Sequence, residues 1–361
     1  MSKRTKIALV AAGVCVVAFA VLAPRKQQRL VYSGKTVQTW AMEARSGDTN
    51  AVAALQTIGS QAVPDLVKLL QSKESAAQKQ FRILMDHVPT RVQKIVGPRK
   101  QPTVWASLRE TGAVGLGMLG PDAANATPDL VTALADNEGT IRWSAATALA
   151  RIGKKALPGL THALYDKNPE VRHASAYALG QIGSTAEPAI PALMAATHDP
   201  NPQVRDSSTF SLWQIGVPAF LAVANQVEQG DDQKSSEAKA MFARFGEFAA
   251  LGETPILTLC RIAADVSPTN TNRLGAIHAL GILPAAEPAV RKTLMTALDS
   301  PELRVRLATA HALGSLGVRG RPALAKLSEL AQSSDPEERQ AAEEALRKIE
   351  SSHPAQDRKR D

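Results

Sequence analysis

The chain is poor in cysteine and in aromatic residues. Two cysteines, Cys15 and Cys260, occur among 361 residues, and Cys15 lies inside an apolar N-terminal run. So few cysteines exclude a disulfide-stabilised scaffold and a cysteine-based metal site. Phe, Trp and Tyr together make up 4% of the residues, and we find no run that alternates apolar and polar residues like a half-buried strand. The sequence therefore predicts an all-α protein without a sheet.

Residue patterns that carry catalysis are also missing. None of the seven histidines lies in an HExxH, HxH or His-Glu sequence, so we expect no metal site. We find no Ser, Cys or Thr in a recognisable nucleophile elbow. Gly112, Gly115 and Gly117 follow no predicted strand, which excludes a dinucleotide-binding loop. We therefore expect no catalytic residue and no cofactor.

The formal net charge of +8 arises from two short stretches. Residues 1–30 contain six bases and no acid, and residues 68–100 contain eight bases against two acids. The rest of the chain is net acidic, which disfavours a general nucleic-acid groove. A basic patch in the second stretch comprises Arg82, Arg91, Lys94, Arg99 and Lys100. We interpret this stretch as part of a solvated insertion at residues 73–104; the alternative is a surface for an anionic ligand or nucleic acid.

Seven arginines recur at a nearly fixed interval, and each of these seven is followed seven residues later by leucine. The spacings are 33, 30, 33, 68, 33 and 33 residues, and the value of 68 indicates one degenerate copy, which we assign to residues 231–260. A period in this range is typical of stacked supersecondary units. We call these residues the ladder arginines: Arg109, Arg142, Arg172, Arg205, Arg273, Arg306 and Arg339.

Each repeat reads as two short helices. In the copy at residues 169–183, Val171, Ala174, Ala178 and Leu179 are spaced as on one face of a helix, and a second apolar segment follows. An aspartate six residues before the arginine can cap the arginine-bearing helix, and the arginine can tie neighbouring turns together. We interpret these residues as structural: Asp136, Arg142, Asp166, Arg172, Asp199, Arg205, Arg273 and Arg306.

The D-x5-R spacing, with V-R-x-x-A-x-x-A-L-G after it, resembles the HEAT repeat and, more narrowly, the bacterial HEAT-like units named from phycobilisome lyases. The resemblance covers roughly residues 47–350. It implies a right-handed α-solenoid of about eight or nine helix pairs within residues 31–350. We expect the charged tail, residues 351–361, to be disordered.

Residues 7–23 contain no charged residue and have basic flanks, so residues 1–30 are predicted to be a membrane anchor or a signal segment. We expect an anchored protein with the repeats outside the cytoplasm; the alternative is a protein secreted or periplasmic after cleavage. A Y-x-G-K-x4-W sequence follows at Tyr32–Trp40 and resembles the opening of anchored or secreted bacterial HEAT-repeat proteins. We expect Trp40 to cover the exposed end of the first repeat.

The resemblance also implies that the arginine-bearing helices line the concave side. Counting Val171 as zero, positions 2, 6 and 9 point away from the apolar face. They hold Trp143, His173, Tyr177, Phe210, Trp213, His278 and His311. We hypothesise that they form a groove for a peptide, with histidines that confer sensitivity to pH near 6.5. The alternative is that the rings fill gaps between repeats.

Together these features predict a non-enzymatic scaffold that binds another protein or peptide and attaches to a membrane through residues 7–23. An enzyme of the HEAT-like lyase or hydroxylase type is the first alternative. Binding of an anionic ligand or nucleic acid through residues 68–100 is the second.

Overall fold

The structure is a computed structural model that includes side chains. It describes residues 30–74, 80, 102–229, 237, 240–242, 244–245, 254–267, 272–282 and 288–352. The predicted membrane segment, the basic patch and residues 353–361 lie outside the described residues. The chain divides into two compact units, Met1–Ala178 and Leu179–Asp361.

Short and long helices alternate in the first unit from α3 onward. Its helices are α1 (Val37–Arg45), α2 (Thr49–Ile58), α3 (Val63–Leu70), α4 (Pro102–Leu119), α5 (Thr127–Ala133), α6 (Gly139–Ile152) and α7 (Leu157–Ala163), followed by α8 (Pro169–Ile182), which contains the unit boundary. The long helices α4 and α6 pack against each other, and the short helices α5 and α7 form a second layer. This is the two-layer helix packing that the repeat pattern predicts.

The second unit is also built of successive helices, and α11 to α14 are similar to one another in length. Its helices are α9 (Ile190–Ala196), α10 (Pro202–Ile215), α11 (Val217–Gln229), α12 (Thr254–Ala264), α13 (Arg273–Ile282), α14 (Pro288–Ala297), α15 (Leu303–Ser315), α16 (Leu324–Leu330) and α17 (Pro336–Ser351). Helix α15 packs between α13 and α17, while α14 packs against α15 and α16 against α17. We call the helices that bear the ladder arginines the ladder helices: α4, α6, α8, α10, α13, α15 and α17.

The leucine seven residues after each ladder arginine lies in the core, as the sequence predicts. Six of these side chains are at most 1% exposed: Leu116, Leu149, Leu179, Leu212, Leu280 and Leu313. The seventh, Leu346, is half-buried, because α17 is the last described ladder helix and no further described helix covers it. Burial of these leucines adds apolar area to the core of each repeat.

Glycines allow adjacent ladder helices to approach closely. The residue eight positions after the arginine is glycine in four of these helices, and three of these glycines, Gly117, Gly281 and Gly314, each face an alanine of the next ladder helix. A Cβ added to Gly281 would lie 2.5 Å from the Cα of Ala312. The two backbones meet at this point with no room for a side chain.

A second glycine ends several ladder helices. Gly153 follows α6 with a φ of 71°, and its backbone N–H bonds to the carbonyl of Leu149. Positive φ is strained for other residues, so glycine is the residue expected at this helix end. The same position is occupied by Gly120, Gly183, Gly216 and Gly317, with φ values between 56° and 79°.

Phenylalanines replace small residues near the degenerate repeat. Phe220 of α11 stacks on Phe245 at 4.7 Å between ring centroids, and Phe242 packs edge-on against both rings. All three side chains are at most 2% exposed. Phe242 and Phe245 of the degenerate copy therefore form a local aromatic core with Phe220 of α11.

The prediction that the protein has no sheet is wrong at one place. Strands β1 (Val31–Tyr32) and β2 (Lys35–Thr36) pair antiparallel through a two-residue turn. Both turn residues, Ser33 and Gly34, have positive φ, which is the geometry that closes tight hairpins. The hairpin was not predictable from alternation because each strand contains two residues.

Candidate protein-binding surface

The ladder arginines fix the start of their own helices. Arg142 donates from Nη1 to the carbonyl oxygens of Asp136 and Asn137, at 2.9 and 3.2 Å. The equivalent atoms of Arg172, Arg205 and Arg306 make the same pair of bonds five and six residues back. These hydrogen bonds satisfy backbone carbonyl groups in the turn before each helix, and they connect that turn to the helix.

The arginines also reach acids of the next repeat. Arg109 makes a two-bond contact with Asp136, at 2.7 and 3.1 Å. Arg142 pairs with Glu170 at 2.9 Å. These charge-assisted contacts join successive ladder helices. The structural interpretation of the arginines is consistent with this geometry.

The expected role of the aspartates is wrong in detail. Asp136, Asp166 and Asp199 each accept a hydrogen bond from the backbone N–H two residues later, which closes a turn ahead of the helix. The N-cap of α10 is Asn201, whose side chain accepts from Gln203 and Val204. The aspartates therefore lie two residues before the N-cap position and do not cap the helices themselves.

Three rings on α6 and α8 form one cluster in the first unit, which we call the aromatic cluster: Trp143, His173 and Tyr177. Tyr177 lies edge-on to Trp143 with 4.8 Å between centroids, and His173 does so at 5.3 Å. Trp143 nevertheless stays 40% exposed, whereas His173 and Tyr177 are half-buried. The two ring contacts therefore cover part of the indole ring and leave part of it accessible.

An ion pair between α6 and α8 lies beside this cluster. Arg142 immediately precedes Trp143, and its partner Glu170 lies three residues before His173. The ion pair therefore joins the two helices near the residues from which the rings project. An exposed tryptophan on a rigid pair of helices is a suitable anchor for a partner.

The histidine in the cluster is less basic than the sequence hypothesis assumed. Burial lowers the pKa of His173 below 6.5, Arg142 lowers it further, and Glu170 partly opposes both effects. The ring is therefore mostly neutral at neutral pH, and protonation of His173 requires a more acidic solution.

The other candidate residues belong to the second unit. Phe210 and Trp213 of α10 stack on each other at 5.7 Å, and both are half-buried. His278 is half-buried on α13 and His311 is exposed on α15. Each unit thus carries its own part of the predicted surface.

A buried carboxylate in the second unit predicts how the free energy of unfolding changes with pH. The pKa of Glu338 is lowered, chiefly by the hydrogen bond from Arg306 and also by that from Ser333, while burial opposes them. A lowered folded-state pKa adds stability that is present above the ordinary value of 4.5 and is lost as the pH falls through the lowered value. We expect the unfolding free energy of the wild type to fall more steeply below pH 4.5 than that of Glu338→Gln.

Urea denaturation from neutral pH downward measures this difference. Glu350→Gln, at an exposed glutamate of the same helix, is the control and should keep the wild-type slope. Equal slopes for the wild type and Glu338→Gln would contradict the assignment.

Two features bear on alternative functions. Within the described ranges, no three His, Cys, Asp or Glu side chains are grouped so that they could bind one metal ion. Among the described helices, none is both long and apolar enough to cross a membrane alone. The bent pair Pro202–Ile215 and Val217–Ala224 meets these criteria only when taken together.

Comparison with known structures finds matches of low sequence identity and low TM-score. The complex of CpcE and CpcF of phycocyanin lyase from Nostoc is 18% identical, with a TM-score of 0.29, and the match covers 90% of this chain and 100% of that one. The Escherichia coli protein YibA is also 18% identical, with a TM-score of 0.28 and coverage of 90% and 100%. A computationally designed armadillo repeat protein for modular peptide recognition is 16% identical, with a TM-score of 0.27 and coverage of 62% and 99%.

Comparison with curated proteins finds no match. The family model for HEAT repeats matches residues 108–213 and 256–347, which together are more than half of the chain. These ranges include the ladder arginines and the alternating helices described above. The chain therefore belongs to the HEAT-repeat family.

Proposed function

We propose that this protein is a non-enzymatic scaffold that binds a protein or peptide through the aromatic cluster on α6 and α8. The observation that carries the proposal is the 40% exposure of Trp143, whose ring is held in place by Tyr177 and His173. Tryptophan and tyrosine are enriched among the residues that dominate binding energies, and a ring that is already ordered loses little entropy on binding.

The proposal includes the expectations about location and shape. Residues 7–23 attach the protein to a membrane, with the repeats outside the cytoplasm, and the helix pairs stack as a right-handed solenoid. The stacked rings Phe210 and Trp213, with His278 and His311, provide further contacts in the second unit. The uncharged run between basic flanks supports the attachment, and the repeated close approach of ladder helices supports the stacking.

Site-specific photo-cross-linking tests the binding surface. A photoreactive phenylalanine derivative is introduced at Trp143, and at Tyr165 as the matched control. Tyr165 is 67% exposed and lies in the loop between α7 and α8. In cells of the native organism we expect a defined adduct from position 143 and none of the same mass from position 165. The same adducts from both positions, or none from either, would contradict the proposed surface.

Analysis of the purified protein separates the proposal from the two alternatives. Stoichiometric iron or a bound chromophore would overturn the scaffold in favour of a lyase- or hydroxylase-type enzyme. Steeply salt-dependent binding to nucleic acid that disappears when residues 68–100 are deleted would favour the basic stretch instead. We expect neither result.

A further inference from the structure

A groove runs between two helices of the second unit, α14 and α16. Each of these helices packs against a ladder helix, α14 against α15 and α16 against α17. The groove consists of two hollows of about 490 and 300 Å³, and both are lined by side chains from the two helices and from the residues next to them. Together the hollows are large enough to hold several side chains of a ligand.

An ion pair crosses the middle of the groove. Lys326 of α16 bonds to Asp299, which follows α14, and its ammonium group also donates to the carbonyl of Met295 at 3.4 Å. Asp299 and Lys326 border both hollows. The pair joins the two helices and balances the charge at the centre, so the charge that a ligand meets depends on the side chains at the two ends.

The two ends of the groove carry charges of opposite sign. Arg291 and Lys292 of α14 line the larger hollow, and Glu329 of α16 lines the smaller one. In the part of the chain that the structure describes, none of these three side chains forms an ion pair. The charges available to a ligand are therefore positive at one end and negative at the other.

Apolar side chains lie between these ends. Met295 and Pro322 line the larger hollow, and Leu298 and Leu330 line the smaller one. The lining extends along α16 from Pro322 to Ser333, a distance of about 17 Å at the rise of a helix. An extended peptide covers this distance with about five residues.

We propose that the groove binds an extended peptide segment of a partner protein. Acidic side chains of the peptide lie against Arg291 and Lys292, and a lysine or arginine about four residues further along lies against Glu329. Charge complementarity identifies this occupant. A small anion would use only the basic end, and it would leave the apolar lining and Glu329 without a role. The inference does not rest on binding at Trp143, because the aromatic cluster belongs to other helices.

Selection from a library of random nonapeptides displayed on phage tests the inference with the full-length protein. The groove variant, Arg291→Glu with Lys292→Glu, reverses the charge of the basic end. The matched control, Arg261→Glu with Arg304→Glu, makes the same change in net charge at two exposed arginines outside the groove. A third variant, Glu329→Lys, reverses the acidic end alone. The melting temperature of each variant shows whether it folds like the wild type.

We expect the wild type and the control to enrich the same sequences, with acidic residues at one end and a basic residue at the other. A synthetic peptide of the leading sequence should bind the groove variant about tenfold more weakly or worse in fluorescence anisotropy, because its attractive charge pairs become repulsive. With Glu329→Lys, an acidic residue should replace the basic residue in the selected sequences.

Three results would overturn the inference. The wild type enriches no sequence of this kind, the groove variant enriches the same sequences as the wild type, or the control loses them to the same extent as the groove variant. Calorimetry with pyrophosphate examines the other occupant. Pyrophosphate binding that is lost in the groove variant, without selection of any peptide, would identify a small anion and also overturn the inference.

Discussion

Replacing Gly281 with alanine is expected to destabilise the protein by about 3 kcal/mol, near the upper end of the cost of overpacking a core. The added Cβ would lie 2.5 Å from the Cα and 2.6 Å from the Cβ of Ala312. A backbone atom cannot move aside as a flexible side chain does. Helices α13 and α15 must therefore separate, which weakens the contacts of both with their neighbours.

Gly139→Ala is the matched control for this prediction. Gly139 begins α6, and the nearest atom to an added Cβ is Nη2 of Arg142 at 3.7 Å, an ordinary contact. Alanine reduces the entropy of the unfolded chain, so this variant should be neutral or gain up to about 1 kcal/mol. Urea denaturation measures both effects. A loss of less than about 1 kcal/mol for Gly281→Ala would show that the close approach of the helices contributes little.

Replacing Arg306 with methionine is expected to cost about 3 kcal/mol, because it leaves a buried charge without its main partner. Arg306 Nε donates to Glu338 at 2.5 Å, and the Glu338 side chain is 10% exposed. After the change, the described groups that still bond to this carboxylate include the Ser333 hydroxyl. The variant also loses the two bonds from Arg306 to the carbonyls of Ser300 and Pro301.

A double variant tests the physical reason. Arg306→Met with Glu338→Leu removes both charges and should recover a large part of the lost stability, since an apolar pair avoids the cost of desolvation. If the double variant is as unstable as the sum of the single variants, the loss comes from the bonds to the turn and not from the unpaired carboxylate.

Much of the fold could be predicted because core positions repeat with the period of a helix. The leucine seven residues after each arginine is buried in six ladder helices, and all six lie in the ranges that the HEAT-repeat family model matches. The hairpin could not be predicted in this way, since two-residue strands do not produce an alternating pattern. Its signal was the Ser33–Gly34 pair, which suits a tight turn.

The partners of the arginines were less predictable. Asp136 lies 27 residues after Arg109, whereas Glu338 lies 32 residues after Arg306. The long guanidinium side chain accommodates several registers, so a fixed D-x5-R spacing does not identify the acid it contacts. The close approach at Gly281 could have been predicted from the sequence spacing, since Gly117 and Gly314 occupy the same position in their helices.

The aromatic surface was predicted from helix periodicity, but its internal geometry was not. Position counting places Trp143 and Tyr177 on outward faces of two helices, yet contact between their rings depends on how the helices rotate and approach. The lowered pKa of His173 likewise results from burial in the folded cluster. The sequence could therefore indicate which residues to examine, and the structure shows which of them touch.

The most direct test of the binding surface is the affinity of the partner recovered by cross-linking at position 143, measured by calorimetry against purified variants. The account predicts that Trp143→Ala weakens binding by about 30-fold or more, corresponding to roughly 2 kcal/mol, as for residues that dominate interfaces. Tyr165→Ala should bind like the wild type, and the melting temperature of Trp143→Ala should remain close to that of the wild type. Equal affinities for the two variants, or a loss of binding that follows a loss of folding, would contradict the claim.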